Sequence, residues 1–460
     1  MVGRQDRAAK DAAQGKPWED AMTHTTAGEA RMTRRTLGAA AAAAALGLPS
    51  LARAQAATLT IWHDLGDNGI AWFERMGQAF AQTRPGVTIR SQSFPTDQWF
   101  GRVIGAINTN SAPDLIFNNY ERVIRIQTQT SRVMDMRAVL DGVQDRDFLS
   151  AEDLRVGTFR DRMIIIPMQR VQMALGTRRS WLAKVGEQVP VTWDDAKRVA
   201  QKFRENDPDG NGRADTFGFA LQAARPRDLI HMLDLFTFGA GLSHTLLDPA
   251  GNITIDQPEH ALVLAEFLRT YSTYRFVPPD TINHSFTEMY QVIEGGRGGM
   301  FRVGDWNVRR WDQANTLNGD FVSHPWPKFF ANRDPAVVIG GMRGVGIPEN
   351  APNRDLSVAF ARFMLTRPAQ QASLEIMGAA VRKDLDVSSL SERQQWFARA
   401  NHKLVAYDFP EATHAWYPEL EAQFHRRLMA AIGSPPRDMD VFIRELARDM
   451  RDAAQRLSRG

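Results

Sequence analysis

A chain of 460 residues, 43% hydrophobic and 24% charged, is too long for one core of ordinary size and too apolar for disorder, so two domains of a globular protein are expected. Of its 56 Lys and Arg and 53 Asp and Glu, residues 1–56 carry 8 and 5, leaving 48 of each sign in the rest of the chain. That balance argues against a nucleic-acid binder, and the lack of any cysteine removes disulfides, thiolate metal sites, Cys nucleophiles and a lipid-modified N-terminal Cys.

Residues 1–31 are polar and aperiodic, a tail or an upstream misassigned start. Met32 opens a complete export signal over 32–56. Thr33-Arg34-Arg35-Thr36-Leu37 is followed by the alanine run 39–45, Leu46 and Leu48, then Ala52-Arg53-Ala54 and Ala54-Gln55-Ala56. A charged start, a short apolar middle and an Ala-x-Ala end make a secretory signal, and the paired arginines point to the twin-arginine route. The apolar part is too short to span a bilayer and no later stretch qualifies. A periplasmic protein without a lipid anchor, starting near Gln55 or Ala57, is expected.

Residues 58–62 alternate as a strand, and Trp72, Phe73, Met76, Ala79 and Phe80 fall on one helix face. Pro85-Gly86 precedes a strand at 87–91, a helix covers 98–108, and Pro113 leads into a buried strand at 114–117. Strands alternating with helices predict an α/β fold with a parallel sheet. A short run at 163–166 ends at Pro167. Thr192-Trp193-Asp194-Asp195 reads as a capping box for a helix with Ala196, Val199, Ala200 and Phe203 inside. Helices are also expected at 227–238, after Pro258, at 355–365 and at 438–457, with strands at 300–303, 321–326, 337–339 and 344–347.

The stretch 293–310 organises the functional reading. Its glycines stop a helix, a short strand follows, and Asp305-Trp306 stands where that strand ends. Ligands of open α/β folds are met just beyond strand ends. A Trp face there, with Asp305 and Arg302 beside it, is equipment for gripping a sugar-like molecule.

Seven short landmarks then occur in one order: Thr58-Leu-Thr-Ile-Trp62, Phe80-Ala-Gln-Thr-Arg-Pro-Gly-Val87, Ala112-Pro-Asp-Leu-Ile-Phe117, Val189-Pro-Val-Thr-Trp-Asp194, and the segments 295–306, 340–348 and 359–365. In that order, behind an export signal, they resemble the extracellular solute-binding proteins of ABC importers, the class that includes maltose-binding and glycerol-phosphate-binding proteins. The resemblance covers essentially all of the mature chain. It implies the periplasmic-binding-protein fold, two discontinuous α/β lobes joined by a hinge, with lobe one at 57–168 plus 336–375 and lobe two at 170–335 plus 376–460. Ligand bound between the lobes favours the closed form by its differential contacts, which a membrane permease then reads.

By family position, Trp306 looks like the aromatic that stacks on the sugar. Trp62, His63 and Asp64 after the first strand, and Asn118, Asn119 and Tyr120 after the 114–117 strand, are expected to face the cleft. Gln169 is expected at the first crossing, and Gly341, Met342 and Arg343 in a loop after the returning strand. Arg302 and Arg343, with Arg122 and Arg170 nearby, depart from neutral-sugar sites. A guanidinium forks onto carboxylate or phosphate, so sugar acids and glycerol phosphates join the ligand classes unless local acids such as Asp305 and Glu121 pair with these arginines.

Asp207, Asp209, Asn211 and Asp215, with the Arg213 carbonyl and Gly212 between, match positions one, three, five, nine, seven and six of a calcium loop. The twelfth position is Gly218, so the bidentate Glu is missing, and an Asx-rich turn is the alternative. Any calcium would be structural; no cofactor is required. There is no Gly-x-Ser-x-Gly elbow, His-Glu-x-x-His or Walker loop. The expectation is a non-enzymatic, monomeric binding protein that takes a carbohydrate or related polar solute to an ABC permease. An exported carbohydrate-active enzyme and a receptor-docking sensor are the alternatives.

Overall fold

The computed structural model describes residues 56–143, 145–400, 403–406 and 414–459. The tail and the export signal read from sequence lie outside them, Ala56 apart. Residues 55–460 form one compact unit.

Strands β1 (Ala57–His63), β2 (Val87–Ser93) and β3 (Leu115–Asn119) are parallel, with β1 central. The helices Gly66–Thr83 and Thr96–Asn108 make the crossovers. The first buries Trp72, Phe73, Met76 and Phe80, the stripe that a 3.6-residue period dictates. A small hairpin, β4 (Thr158–Phe159) and β5 (Arg162–Met163), lies apart from the main sheet. Beyond it β6 (Ile166–Thr177), β7 (Phe217–Ala220), β8 (Gly298–Gly304), β9 (Val322–His324), β10 (Val338–Gly346) and β11 (Leu404–Ala406) complete a nine-stranded sheet. Its main path runs β2-β1-β3-β10-β6-β8-β7, with β9 on β6 and β11 on β10.

Two antiparallel strands, β6 and β10, join the halves. Residues 166–173 of β6 pair with β10, and residues 173–177 with β8. The far end of β10 pairs with β3, Arg343 opposite Asn119 and Gly346 opposite Ile116. The cores divide along these strands. Leu59, Phe73, Phe117, Met168, Val345 and Val381 pack with the first half, and Ile116 and Met342 on another cluster there. Met173, Phe236, Phe301, Ala336, Ile339 and Leu446 pack together in the second.

Several sequence-based boundaries move. The short run 163–166 ending at Pro167 is split, Met163 closing β5 and Ile166 opening β6, which runs through Pro167 for 12 residues, nearly every one buried, so no alternation marks it. The strands expected at 337–339 and 344–347 are one, β10. Its glycines permit close approach: a Cβ on Gly340 would collide with the Val171 carbonyl and one on Gly344 with that of Ile166. Thus Gly341, Met342 and Arg343 lie in a strand, not a loop. Ala336, Val338 and Ile339 pack with the second half and Val381 with the first, which shifts the lobe boundaries drawn at 336 and 375. The 321–326 strand shrinks to three residues. Helices Tyr120–Thr130, Arg367–Met377, Glu392–Ala400 and Tyr417–Gly433 were not anticipated. No helix among the described residues is long and apolar enough to cross a membrane.

Candidate functional site

At the end of β8 the chain turns directly into the helix Asp305–Ala314. The Asn307 side chain caps that turn, its Oδ1 accepting the Gly304 N–H at 3.2 Å and the Tyr290 hydroxyl at 2.6 Å. Gly304 is required here because a Cβ would meet the Trp306 ring at 2.5 Å. The indole therefore folds back over the Gly304 backbone, half-buried against the second core. It packs on the second core with part of its ring left exposed.

Asp305 ties this turn to the connecting strand. Its Oδ2 accepts the Gln172 N–H at 3.2 Å and its Oδ1 the Trp306 N–H at 2.8 Å. Burial pushes its carboxyl up to about 7, against the pull of those backbone donors and of the Arg343 charge. Arg343 donates to Asn119 Oδ1 at 2.6 Å, joining β10 to β3, and it pairs in register with Gln169.

Beneath Trp306 lies Arg302, 3% exposed. Its Nη2 donates to the Tyr290 hydroxyl at 3.0 Å, and its guanidinium carbon sits 4.9 Å from the Phe286 ring centre, 5.7 Å from that of Tyr290 and 5.8 Å from that of Trp306. Phe286 and Tyr290 share a face because Ser285, capped reciprocally with Glu288, starts their helix at Phe286. His231 lies in the same field, held well below its ordinary pKa by burial and by Arg302 and Arg227.

The first half contributes less than the sequence suggests. His63 is wholly buried against Phe73, its Nδ1 accepting the Leu65 N–H at 3.1 Å, and burial holds it down to about 4. Asp64 pairs with Arg122 at 3.2 Å. Trp62 points to the other face of β1 and meets Phe94 edge-on at 5.0 Å. Tyr120 and Met342 are core residues, since Tyr120 begins a helix and Met342 lies inside β10. Gln169 is buried and donates to Ser373 Oγ at 3.1 Å. Asn118 accepts the Asn119 N–H at 2.8 Å, while its buried Nδ2 has no partner. The structure thus joins Asn118, Asn119, Gln169 and Arg343 along β3, β10 and β6, with Asp305 linked through Gln172, and gathers Arg302, Gly304 and Trp306 at the end of β8. Gln172, Phe286, Tyr290 and Asn307 were missed; the Phe286/Tyr290 spacing of four was the available signal.

In the loop 207–215, Asp207 adopts a left-handed conformation (φ 44°) and its carboxylate accepts the N–H groups of Gly210, Asn211 and Gly212 at 3.0–3.1 Å. The Asn211 amide donates to Asp209 Oδ2 at 2.8 Å and Asp215 Oδ1 at 3.2 Å. Two carboxylates, Asp209 and Asp215, thus meet on the Asn211 side-chain amide, and Asp209 is raised, by desolvation first and by its acidic neighbours. Oxygen donors of this kind suit a hard cation, although among the described residues no cluster of three acidic or imidazole groups is arranged to hold one.

Comparison with known proteins agrees with this architecture. Over 86% of the chain and 99% of theirs, it superposes on a Thermotoga lettingae ABC transporter solute-binding protein with α-D-tagatose and on maltose-bound Thermotoga maritima MalE3, both at TM-score 0.69 and 17% identity. An Arthrobacter globiformis cyclic α-maltosyl-1,6-maltose binding protein follows at TM-score 0.68 and 16% identity, covering 87% and 99%. In sequence, 145 residues are 30% identical to the fructooligosaccharide ABC transporter substrate-binding protein FusA of Streptococcus pneumoniae, 31% of this chain and 26% of that protein. A further 44 residues are 48% identical to lipoprotein LipO of Bacillus subtilis, 10% of this chain and 9% of that protein. Both matches span far less than two thirds of those relatives. Residues 66–371 match the family model for the bacterial extracellular solute-binding protein; the chain belongs to that family.

Proposed function

We propose that the protein captures a saccharide or related polar solute between its two halves, outside the cytoplasm, and delivers it unchanged to an ABC permease. The observation that carries this reading is the Trp306 indole, held over Gly304 at a strand end and tied through Asp305 to β6, one of two strands joining the halves. A flat apolar face with polar groups beside it suits the C–H face of a sugar ring. A paired-strand connection bends, so a solute touching both halves favours their approach. Export by the twin-arginine route to the periplasm, and action as a monomer, belong to the same proposal. Titration calorimetry against sugars, sugar acids and glycerol phosphates, with chromatography of the recovered ligand, tests it. One-to-one binding of an unchanged ligand is expected; turnover would favour an exported carbohydrate-active enzyme.

The Asp209 and Asp215 carboxylates, which meet on the Asn211 side-chain amide, motivate a second, structural proposal, that the loop 207–215 takes up calcium without any part in ligand chemistry. Calcium should then raise the melting temperature of the chelator-treated protein. An unchanged melt would leave an Asx turn.

A further inference from the structure

We propose that Arg302 reads an anionic group on the solute, so that the preferred ligand is a saccharide bearing a carboxylate or a phosphate rather than a neutral sugar. The proposal rests on the solute-binding reading above and names the substrate class of that site.

Four arginines are buried among the described residues. Arg170 grips Asp153 through two nitrogens and also donates to the Val381 carbonyl. Arg178 donates to the Gly298 and Ile293 carbonyls and has Asp320 at 3.9 Å. Arg382 bridges Asp145 at 2.7 Å and Asp384 at 2.8 Å. Each of these three has an acid. Arg302 has none among the described residues. Its hydrogen bonds are one to the Tyr290 hydroxyl and a 4.0 Å contact with the Met173 sulfur, and its buried Nε has no acceptor.

A guanidinium keeps its charge in any protein interior, so it needs compensation where it lies. The facing rings attract it, but a ring offers no in-plane acceptor to the Nε–H. Asp305, the acid nearest in sequence, is committed to the Gln172 and Trp306 N–H groups instead. The Tyr290 hydroxyl is used on both sides, accepting from Arg302 and donating to Asn307. The charge is felt by its neighbours, since it helps to hold His231 neutral.

Position completes the argument. Two of the rings around Arg302 reach solvent, Phe286 at 41% exposed and half-buried Trp306. Arg302 is the cation that the structure sets against that partly exposed ring, its guanidinium carbon 5.8 Å from the ring centre. An anionic substituent there would supply both the countercharge and the oxygen acceptor that the fold omits.

The test is calorimetry on the full chain with length-matched ligands in three arms: neutral hexose oligomers, the corresponding uronate oligomers, and hexose phosphates. At least about tenfold tighter binding of an anionic arm is expected, the arm that wins naming carboxylate or phosphate, with a preference that shrinks as salt rises. Arg302→Gln, checked by circular dichroism, should bring the ratio of anionic to neutral affinity down to about one, and Arg302→Lys should keep part of the preference. Neutral oligomers bound as tightly as anionic ones by the unaltered protein, a result that needs no variant, would overturn the proposal and leave the solute-binding reading standing. Failure of every arm would overturn both.

Discussion

Gly304 shows how one residue sets the geometry of the site. It carries no side chain because the Trp306 indole occupies that space. Gly304→Ala should leave the global melt within a few degrees but displace the ring, weakening ligand binding by about 1 kcal/mol or more, as Trp306→Ala should by removing it. Unchanged ligand affinity in both folded variants would return Trp306 to a packing role. At this scale the sequence is legible only where local order suffices. Trp306 and Asp305 could be placed because they follow a glycine-bounded strand. Tyr120 and Met342 could not, since a residue one position past a strand and one within it look alike until the register is known. His63 reads as a cleft residue from its place at the end of β1, yet it turns inward onto Phe73.

The helices with one apolar stripe were legible because a 3.6-residue period survives without tertiary context. The Thr192 capping box is present as expected, with Asp195 accepting the Thr192 N–H at 3.0 Å and Thr192 Oγ accepting that of Asp195 at 3.1 Å. Strand β6 was illegible for the opposite reason. It is buried on both faces and carries Gln169, Arg170 and Gln172, which suggest a loop until their partners are seen. The matching constraint on β10 is the absence of side chains at Gly340 and Gly344. Gly340→Ala drives a methyl into the Val171 carbonyl, and backbone cannot yield as a side chain can. A loss of about 2–3 kcal/mol in urea unfolding is expected; an unshifted midpoint would mean that β6 and β10 are free to separate at this point.

For the whole molecule, buried titrating groups set the pH dependence of stability. Burial holds His63 and His324 down to about 4, and lowers His231 and His260 too. Groups with depressed values contribute stability that is present above 6.5, their unfolded value, and is lost as pH falls through about 4. Asp305 works the other way. Raised from 3.8 to about 7, it contributes most below 3.8 and its contribution is lost as pH rises through 7. Between pH 4.5 and 6.5 the four histidines outnumber the raised carboxyls Asp305 and Asp209, so stability should rise with pH, and more steeply in Asp305→Asn. A shallower rise in that variant would contradict the assignment. The two-half plan itself was legible through the order of seven short landmarks, each too degenerate to carry it alone. The account's central claim is that a solute is held between halves joined by β6 and β10. Small-angle X-ray scattering with and without a saturating calorimetrically identified ligand tests it most directly: the radius of gyration should fall on binding, and an unchanged value at saturation would contradict capture by closure.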